Sequence, residues 1–419
     1  MPPFPLGLAY VASNIEKRYH DVEIWDAMFQ EDWEKGLRDH LQDFQPEVIG
    51  LSIRNVDDQN IGQPKFFLEE TKRMVEVCRE EVGAPIVAGG SGFSIFCREA
   101  IHDLGVDFGV VGEGEKAFNL VLECMESGGD FNRVPGLIGS EKGENLRAPP
   151  QWIEKLDDLR PADRIQIDAK RYYESPGQPF VPNVATVQGK RGCPLSCIYC
   201  STPAIEGTSI RVRSPKNVLD EIEILRKDYG FKRIHFVDSL FTNPAWHARV
   251  VCEEILRRKI EIHWSCTINP GFAQPELLKL MRRSGCELVM VGNESGCSRI
   301  LQGLRKGFGK EEVEQCFSSC RKEGLRCQGF LLIGGPGEDR ESVQESVELL
   351  EHYEPDQVIV TIGIRIYPGC ELTRIAEREG KIQSETNLLH PRFYLSPSVG
   401  DWIWEYMDGV MARNRRWTF

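Results

Sequence analysis

The sequence predicts an α/β protein in two units: an N-terminal doubly wound parallel sheet, then a second run of βα units forming a partial barrel. Three observations predict it. Short apolar runs of strand length alternate with amphipathic helical patterns along most of the 419 residues. Those runs are nearly continuous, as expected of strands covered on both faces. Glycine-rich turns follow several of them, at the carboxyl strand ends where parallel sheets bind ligands.

In the first unit, residues 1–145, strands are expected at 21–25, 47–53 (EVIGLSI), 85–88 and 107–111. An amphipathic helix flanks the first on either side, and 67–81 has a helical pattern. The third strand runs into Gly89-Gly90-Ser91-Gly92 and the fourth into Gly112-Glu113-Gly114-Glu115. Residues 146–182 are rich in proline and charge (APPQWIEKLDDLRPADR), keep no period, and read as an interdomain strap. From 183 to 380, strands are expected at 183–188, 233–237, 261–267, 287–291, 329–333 and 357–366. Helices at 214–229, 275–283, 310–323 and 340–353 lie between them, the first capped by Ser214 and opened by Pro215. Six βα units in a row predict a partial (β/α)6 TIM-like barrel, with its chemistry at the carboxyl strand ends. Residues 381–419 form a C-terminal extension. Trp402 and Tyr406, four apart, suit one face of a final helix packed on the barrel. A cap over an apolar substrate and an interfacial helix near lipid are the other readings of this aromatic end.

The formal charge of −13 argues against a nucleic-acid backbone as partner and against attraction to anionic membranes. No transmembrane-length apolar run and no signal-peptide pattern occur, so a cytoplasmic protein is expected. Fourteen cysteines are many for such a chain. Cys78, Cys97, Cys124, Cys252, Cys266 and Cys286 are scattered and read as small buried apolar residues; Cys316, Cys320 and Cys327, on a helix and the next strand, read likewise. Cys193, Cys197 and Cys200 form the one tight group, in the loop after a strand. Three thiolates within eight residues can hold one face of a cubane cluster, whose complete ligation takes four. An open metal position distinguishes catalytic from structural sites. A zinc site lacking its fourth ligand is the competing reading, and the paired two-residue spacings that would favour it are absent.

At Arg191-Gly192-Cys193-Pro194-Leu195-Ser196-Cys197-Ile198-Tyr199-Cys200 the chain resembles the radical S-adenosylmethionine superfamily, with an aromatic (Tyr199) before the last cysteine. The resemblance implies a [4Fe-4S] cluster on Cys193, Cys197 and Cys200 whose open iron chelates S-adenosylmethionine. Reduction then yields a 5′-deoxyadenosyl radical, the cofactor carrying the chemistry and the protein the orientation. The resemblance continues at successive strand ends. Phe236-Val237-Asp238-Ser239-Leu240-Phe241 matches the segment contacting the methionine amino group; Ser239 stands where many relatives have a second acid, leaving Asp238 as the candidate. Gly292-Asn293-Glu294-Ser295-Gly296 is similar to the turn that approaches ribose or carboxylate. The segment containing Gly334 and Gly335 (GFLLIGGPGE), and Arg365-Ile366-Tyr367-Pro368-Gly369, resemble those bordering the adenine. Read without the family, each is only a turn after a strand.

Residues 1–145 resemble the cobalamin-binding domain of the B12-dependent class of this superfamily. The matching pieces are Pro5 to Tyr10, Val22 to Asp26, Gly50-Leu51-Ser52-Ile53 and the two glycine turns, through Gly89, Gly90, Ser91, Gly92, Gly112, Glu113, Gly114 and Glu115. The family's opening strand is missing, since the sequence starts at Met1-Pro2-Pro3: either the true start lies upstream, which is preferred, or the sheet lacks an inner strand. No Asp-x-His-x-x-Gly motif occurs, so no histidine is expected below the cobalt. The segment Arg54-Asn55-Val56-Asp57, just beyond a strand, is then the candidate for the lower corrin face, and Ser52 of the preceding match is a further cofactor contact that the resemblance implies. Pairing of Arg54 with Asp57 or Asp58 is the plainer alternative.

The resemblance implies a cobalamin-dependent radical enzyme, a methyltransferase acting on an unactivated carbon of a small molecule, lipid or natural product, with a flavodoxin or ferredoxin as reductant. One S-adenosylmethionine would methylate cob(I)alamin and a second would supply the radical. Ring closure, ring contraction or rearrangement on the same architecture, and a non-catalytic cobalamin or cluster sensor, are the alternatives. No residue acting on the substrate is identified.

Overall fold

A computed structural model describes residues 4–139, 148–174 and 184–419. Met1-Pro2-Pro3, the parts of the strap at 146–147 and 175–182, and the expected strand start at 183 lie outside them.

The larger sheet has seven strands, all paired in parallel. Val184–Val187, Arg233–Phe236, His263–Ile268, Cys286–Glu294, Arg326–Ile333 and Gln357–Ile362 lie side by side in sequence order. Trp417–Thr418, from the chain's end, adds beside the last of these. The intervening helices form where apolar residues recur at helical spacing. In Pro215–Lys227, Val218, Leu219, Ile222 and Leu225 are all fully buried against the sheet, and Ser214 caps the helix from the Asn217 amide. Pro275–Arg283 buries Leu277, Leu278 and Met281 in the same way.

The smaller sheet runs Ile49–Ser52, Ile86–Gly89, Phe108–Val110 and Leu137–Gly139 in that order, the last strand antiparallel. Alternate residues of its second strand face opposite cores. Ile86 and Ala88 pack with Val75 of helix Leu68–Glu81 and Ile101 of helix Cys97–Leu104, while Val87 packs with Val121 of helix Gly114–Ser127. Helices thus cover both faces as expected, but the strand order never reverses, so these four strands are not doubly wound. The reason lies at 21–25, which is extended but not a strand. Among the described residues no strand lies beside it, and one side chain takes two of its backbone groups: the Ile24 amide donates to Gln166 Oε1 (2.7 Å) and the Val22 carbonyl accepts from Gln166 Nε2 (3.1 Å). Ile49–Ser52 is in consequence an edge strand with Gly50 and Ser52 exposed, rather than covered on both faces.

Two further expectations change. The strand expected over 357–366 breaks at Gly363 (φ 76°), where a Cβ would come within 2.6 Å of Ile61. Ile364–Arg365 then pairs antiparallel with Phe393–Tyr394. The strap is not featureless either. Ala162, Ile167 and Tyr172 are buried in one apolar cluster with Phe4 and Tyr10 and with the helices of the larger sheet. The C-terminal helix Trp402–Arg413 buries Ile403, Met407 and Val410, and Trp402 meets Tyr406 edge-on at 5.6 Å, as the spacing predicts. No helix among the described residues is long and apolar enough to cross a membrane.

The two units meet through their strand ends. Ile53, Phe93 and Phe96 share one buried cluster with Ile198, Leu304, Ile364, Ile366 and Tyr394. Asp57 and Arg365 form a buried ion pair at 2.9 Å across this boundary, and Arg365 also donates to the Leu388 carbonyl.

Candidate active site

The cysteine loop leaves the carboxyl end of Val184–Val187. Its base is pinned by Lys190–Arg191 pairing antiparallel with Arg211–Val212. Gly192 has φ 87°, and any Cβ there would lie 2.1 Å from the Ser209 carbonyl, so only glycine lets the chain turn into Cys193. The Gly192 amide donates to Glu206 Oε2, Ile198 N to the Leu304 carbonyl and Leu372 N to the Ile198 carbonyl, so three elements hold the loop. Cys193 is buried, while Cys197 and Cys200 are half-buried; none is in a disulfide. Burial raises the Cys193 thiol and pushes Cys197 up to about 11, in both cases against the attraction of Lys306. Three free thiols on one loop held by three elements form a donor set that suits a metal cluster.

Arg191, the residue before Gly192, carries the contact with the first unit. Its guanidinium reaches Glu115 at 2.5 Å and Glu113 at 3.3 Å; Arg211 reaches Glu113 at 2.8 Å. All four side chains are nearly buried. Trp152 of the strap lies between two turns, since a Cβ on Gly112 or on Gly207 would meet its ring at 2.9 Å. The Gly112–Glu115 turn thus packs against the cysteine loop, with its two carboxylates on arginines.

The other expected site residues fall into two groups. Asp238 ends Arg233–Phe236 and is fully buried beside Lys190. Its Oδ1 accepts from the Gly189 and Lys190 amides, whereas Oδ2 has no hydrogen-bond partner among the described residues. Burial raises its pKa to about 6, against the attraction of Lys190. Glu294, at the end of Cys286–Glu294, has a left-handed backbone (φ 59°) and a carboxylate 3.2 Å from Lys306 Nζ. Tyr199 Oη lies 3.1 Å from the same ammonium. Tyr367 is half-buried, 5.4 Å from the Arg365 guanidinium. Ser239 is half-buried, and Ser52, Arg54 and Asn55 line the exposed end of their strand.

Several others are engaged within the protein. Ser295 Oγ lies 2.9 Å from Ser346 Oγ and accepts from the Cys297 amide. Gly334 and Gly335 donate both amides to the buried Glu338 carboxylate, and a Cβ on Gly334 would meet Leu395 at 2.5 Å. Gly90 is required by the backbone of Ile53, and Ser91 Oγ donates to the Arg54 carbonyl. Gly92 and Gly114 sit close to the Arg54 backbone and the Val11 side chain, each leaving 3.1 Å for a Cβ, while Gly89 has only an ordinary neighbour in the Val110 carbonyl. Asp57, one of the two expected partners of Arg54, is taken by Arg365; Asp58 accepts from the Asn60 and Lys65 amides. Lys306 is absent from the sequence reading. It lies twelve residues past Glu294, beyond any local periodicity, and only a positive-φ turn at Arg305 and Gly307 brings it in.

Comparison with known proteins agrees with this arrangement. The Radical SAM superfamily model matches residues 187–350 and the B12 binding domain model residues 2–122. An uncharacterised methyltransferase of Pyrococcus horikoshii is 27% identical over 374 residues, 89% of this chain and 78% of that one. Tryptophan 2-C-methyltransferase of Streptomyces laurentii is 23% identical, covering 89% and 72%. The structure of the radical S-adenosylmethionine methyltransferase TsrM of Kitasatospora setae, with tryptophan and aza-SAM bound, superposes with a TM-score of 0.87. It is 23% identical and covers 99% of this chain and 88% of that one. The cofactors of this pair of domains are a [4Fe-4S] cluster, S-adenosylmethionine and cobalamin. A three-cysteine loop in the one matched region, packed on the glycine turns of the other, makes the chain a member of the radical S-adenosylmethionine superfamily, in the class that carries a B12-binding domain.

Proposed function

We propose that this enzyme transfers a methyl group to an unactivated carbon of a small molecule. One observation carries the reading. The carboxyl ends of the parallel strands of the two sheets meet across a buried interface, one set bearing the three-cysteine loop and the other the glycine turns, so both cofactors would sit at one place. When bound, the cluster and S-adenosylmethionine supply a 5′-deoxyadenosyl radical and cobalamin supplies a transferable methyl group. Cys193, Cys197 and Cys200 hold the cluster. Asp238 Oδ2, buried and without a partner among the described residues, suits the methionine ammonium. The sequential βα strands are read as a partial barrel around this site, and a flavodoxin-like or ferredoxin-like protein as the reductant. The test is anaerobic reconstitution with iron, sulfide and hydroxocobalamin, then dithionite and S-adenosylmethionine. Bound cobalamin with both 5′-deoxyadenosine and S-adenosylhomocysteine is expected. Deoxyadenosine without cobalamin would remove methyl transfer from the reading.

Two predictions follow from single residues. Because Asp238 ionises near pH 6, a cation it recognises binds more weakly below that value, by about tenfold per pH unit. The same shift has a stability consequence of opposite sense. The native carboxyl holds its proton more tightly than the unfolded one, so its contribution to stability is full below about pH 4 and is lost as pH rises through about 6. Asp238→Asn is expected to flatten both profiles, read by S-adenosylmethionine titration and by urea unfolding from pH 4 to 8. An unchanged binding profile would exclude Asp238 as the ammonium site.

Arg54 is the second. No ion pair to it occurs among the described residues, and partial burial of its guanidinium lowers its pKa. On the lower corrin face its charge would favour the more reduced cobalt. Arg54→Gln is expected to make bound cobalamin harder to reduce at unchanged stoichiometry, followed optically during a reductive titration; an unmoved midpoint would place Arg54 elsewhere.

A further inference from the structure

Beyond the cysteines and Asp238, a further buried charge beside the loop is Lys306. It follows helix Ser298–Gly303, and the left-handed residues on both sides of it, Arg305 (φ 55°) and Gly307 (φ 75°), turn its side chain inward. The side chain is 7% exposed. Its ammonium lies 3.2 Å from Glu294 Oε1 and 3.1 Å from Tyr199 Oη, with the Tyr199 and Phe308 rings at 5.6 and 5.8 Å. Three separate segments therefore converge on one ammonium: the cysteine loop, the bulged end of Cys286–Glu294, and the turn after the helix. Tyr199, whose hydroxyl meets the ammonium, stands between Cys197 and Cys200 in the loop, so the charge lies beside the three thiols. Glu294 makes the buried cation tolerable, since an uncompensated one would be strongly destabilising.

We propose that Lys306 is a positioning residue that sets the reduction potential of the cluster, with Glu294 opposing it. This rests on the cluster reading above. Reduction adds one negative charge to a centre ligated by three thiolates. A fixed cation nearby, in surroundings that screen poorly, stabilises the reduced form more than the oxidised one. The lysine thus eases entry of the electron, while Glu294 restrains the effect and holds the ammonium against Tyr199. The two charges predict shifts of opposite sign, which a purely structural role would not produce.

The experiment uses the full chain with reconstituted cluster, as wild type, Lys306→Met, Lys306→Arg and Glu294→Gln. Iron and sulfide are assayed, and the midpoint is read by an anaerobic potentiometric titration followed by electron paramagnetic resonance. At a fixed poise, Lys306→Met is expected to lower the reduced-to-oxidised ratio about tenfold, equivalent to 59 mV for one electron. Lys306→Arg should stay near wild type, and Glu294→Gln should raise the ratio. A fully loaded Lys306→Met protein with the wild-type midpoint would overturn the proposal. So would a downward shift in Glu294→Gln, which decides alone if Lys306→Met does not fold. Failure of the wild type to assemble any cluster would instead sink the cluster reading, and this proposal with it.

Discussion

Replacing Cys197 by alanine is expected to abolish 5′-deoxyadenosine formation and to strip the protein of cluster iron. Three thiolates are the fewest that hold a cubane with one iron open, so two leave it without a stable seat. No spare ligand is at hand. Cys252, Cys266, Cys286, Cys316, Cys320 and Cys327 are buried in the apolar cluster of the larger sheet. Cys78, Cys97 and Cys124 pack in or against the cores of the smaller one, and Cys297 is buried where the two units join. Cys370 alone approaches the loop, with its thiol 3.3 Å from the Cys200 carbonyl, but it donates to backbone there and burial pushes it up to about 12. Iron analysis and product chromatography on Cys197→Ala and on Cys197→Ala/Cys370→Ala check this. Substantial deoxyadenosine from the first variant and none from the second would mean that Cys370 substitutes as a ligand.

The largest effect on stability is expected from Glu221→Gln. Glu221, on helix Pro215–Lys227, accepts from Arg164 of the strap at 2.9 Å and from Arg213 at 2.6 Å, and every one of these side chains is about 95% buried. Arg213 also reaches the Tyr10 hydroxyl at 3.1 Å, so the N-terminal helix, the strap and the larger sheet are tied through one carboxylate. Its pKa is lowered: burial opposes ionisation, but the two guanidinium groups outweigh it. Neutralising it leaves two buried cations facing one amide, at a cost of about 3–5 kcal/mol. Urea unfolding of the full chain measures this. A loss below about 1 kcal/mol, typical of an exposed pair, would mean that water enters and screens the site. The surface group of Glu34, Arg38 and Arg73 provides that contrast, being linked by short bonds but open to solvent.

How far the sequence could be read depended on the range of the interaction. The helices Pro275–Arg283, Lys310–Glu323 and Arg340–Tyr353 have the expected bounds because a buried stripe at helical spacing is a local property. The cysteine loop was legible for the same reason: its three thiols lie within eight residues and its turn needs Gly192. Partners brought by the tertiary fold were not legible. Glu113 and Glu115 look like one more ligand-binding turn, and it takes Arg191 and Arg211, some eighty to a hundred residues on, to engage them. Residues 21–25 have a strand's composition, but a strand exists only where another backbone lies alongside.

The sequence by itself determined the α/β class, the grouping of Cys193, Cys197 and Cys200 in one loop and the strand-end positions of Asp238 and Glu294, since each depends on spacing within a few residues. Only the tertiary structure decided the sequential strand order of the smaller sheet, the seventh strand at Trp417–Thr418, the Asp57–Arg365 seal between the units and the burial of Lys306 beside the loop. The physical reason is common to all four: pairing of strands and of charges depends on which segments meet after the chain has folded, and spacing along the chain does not encode it.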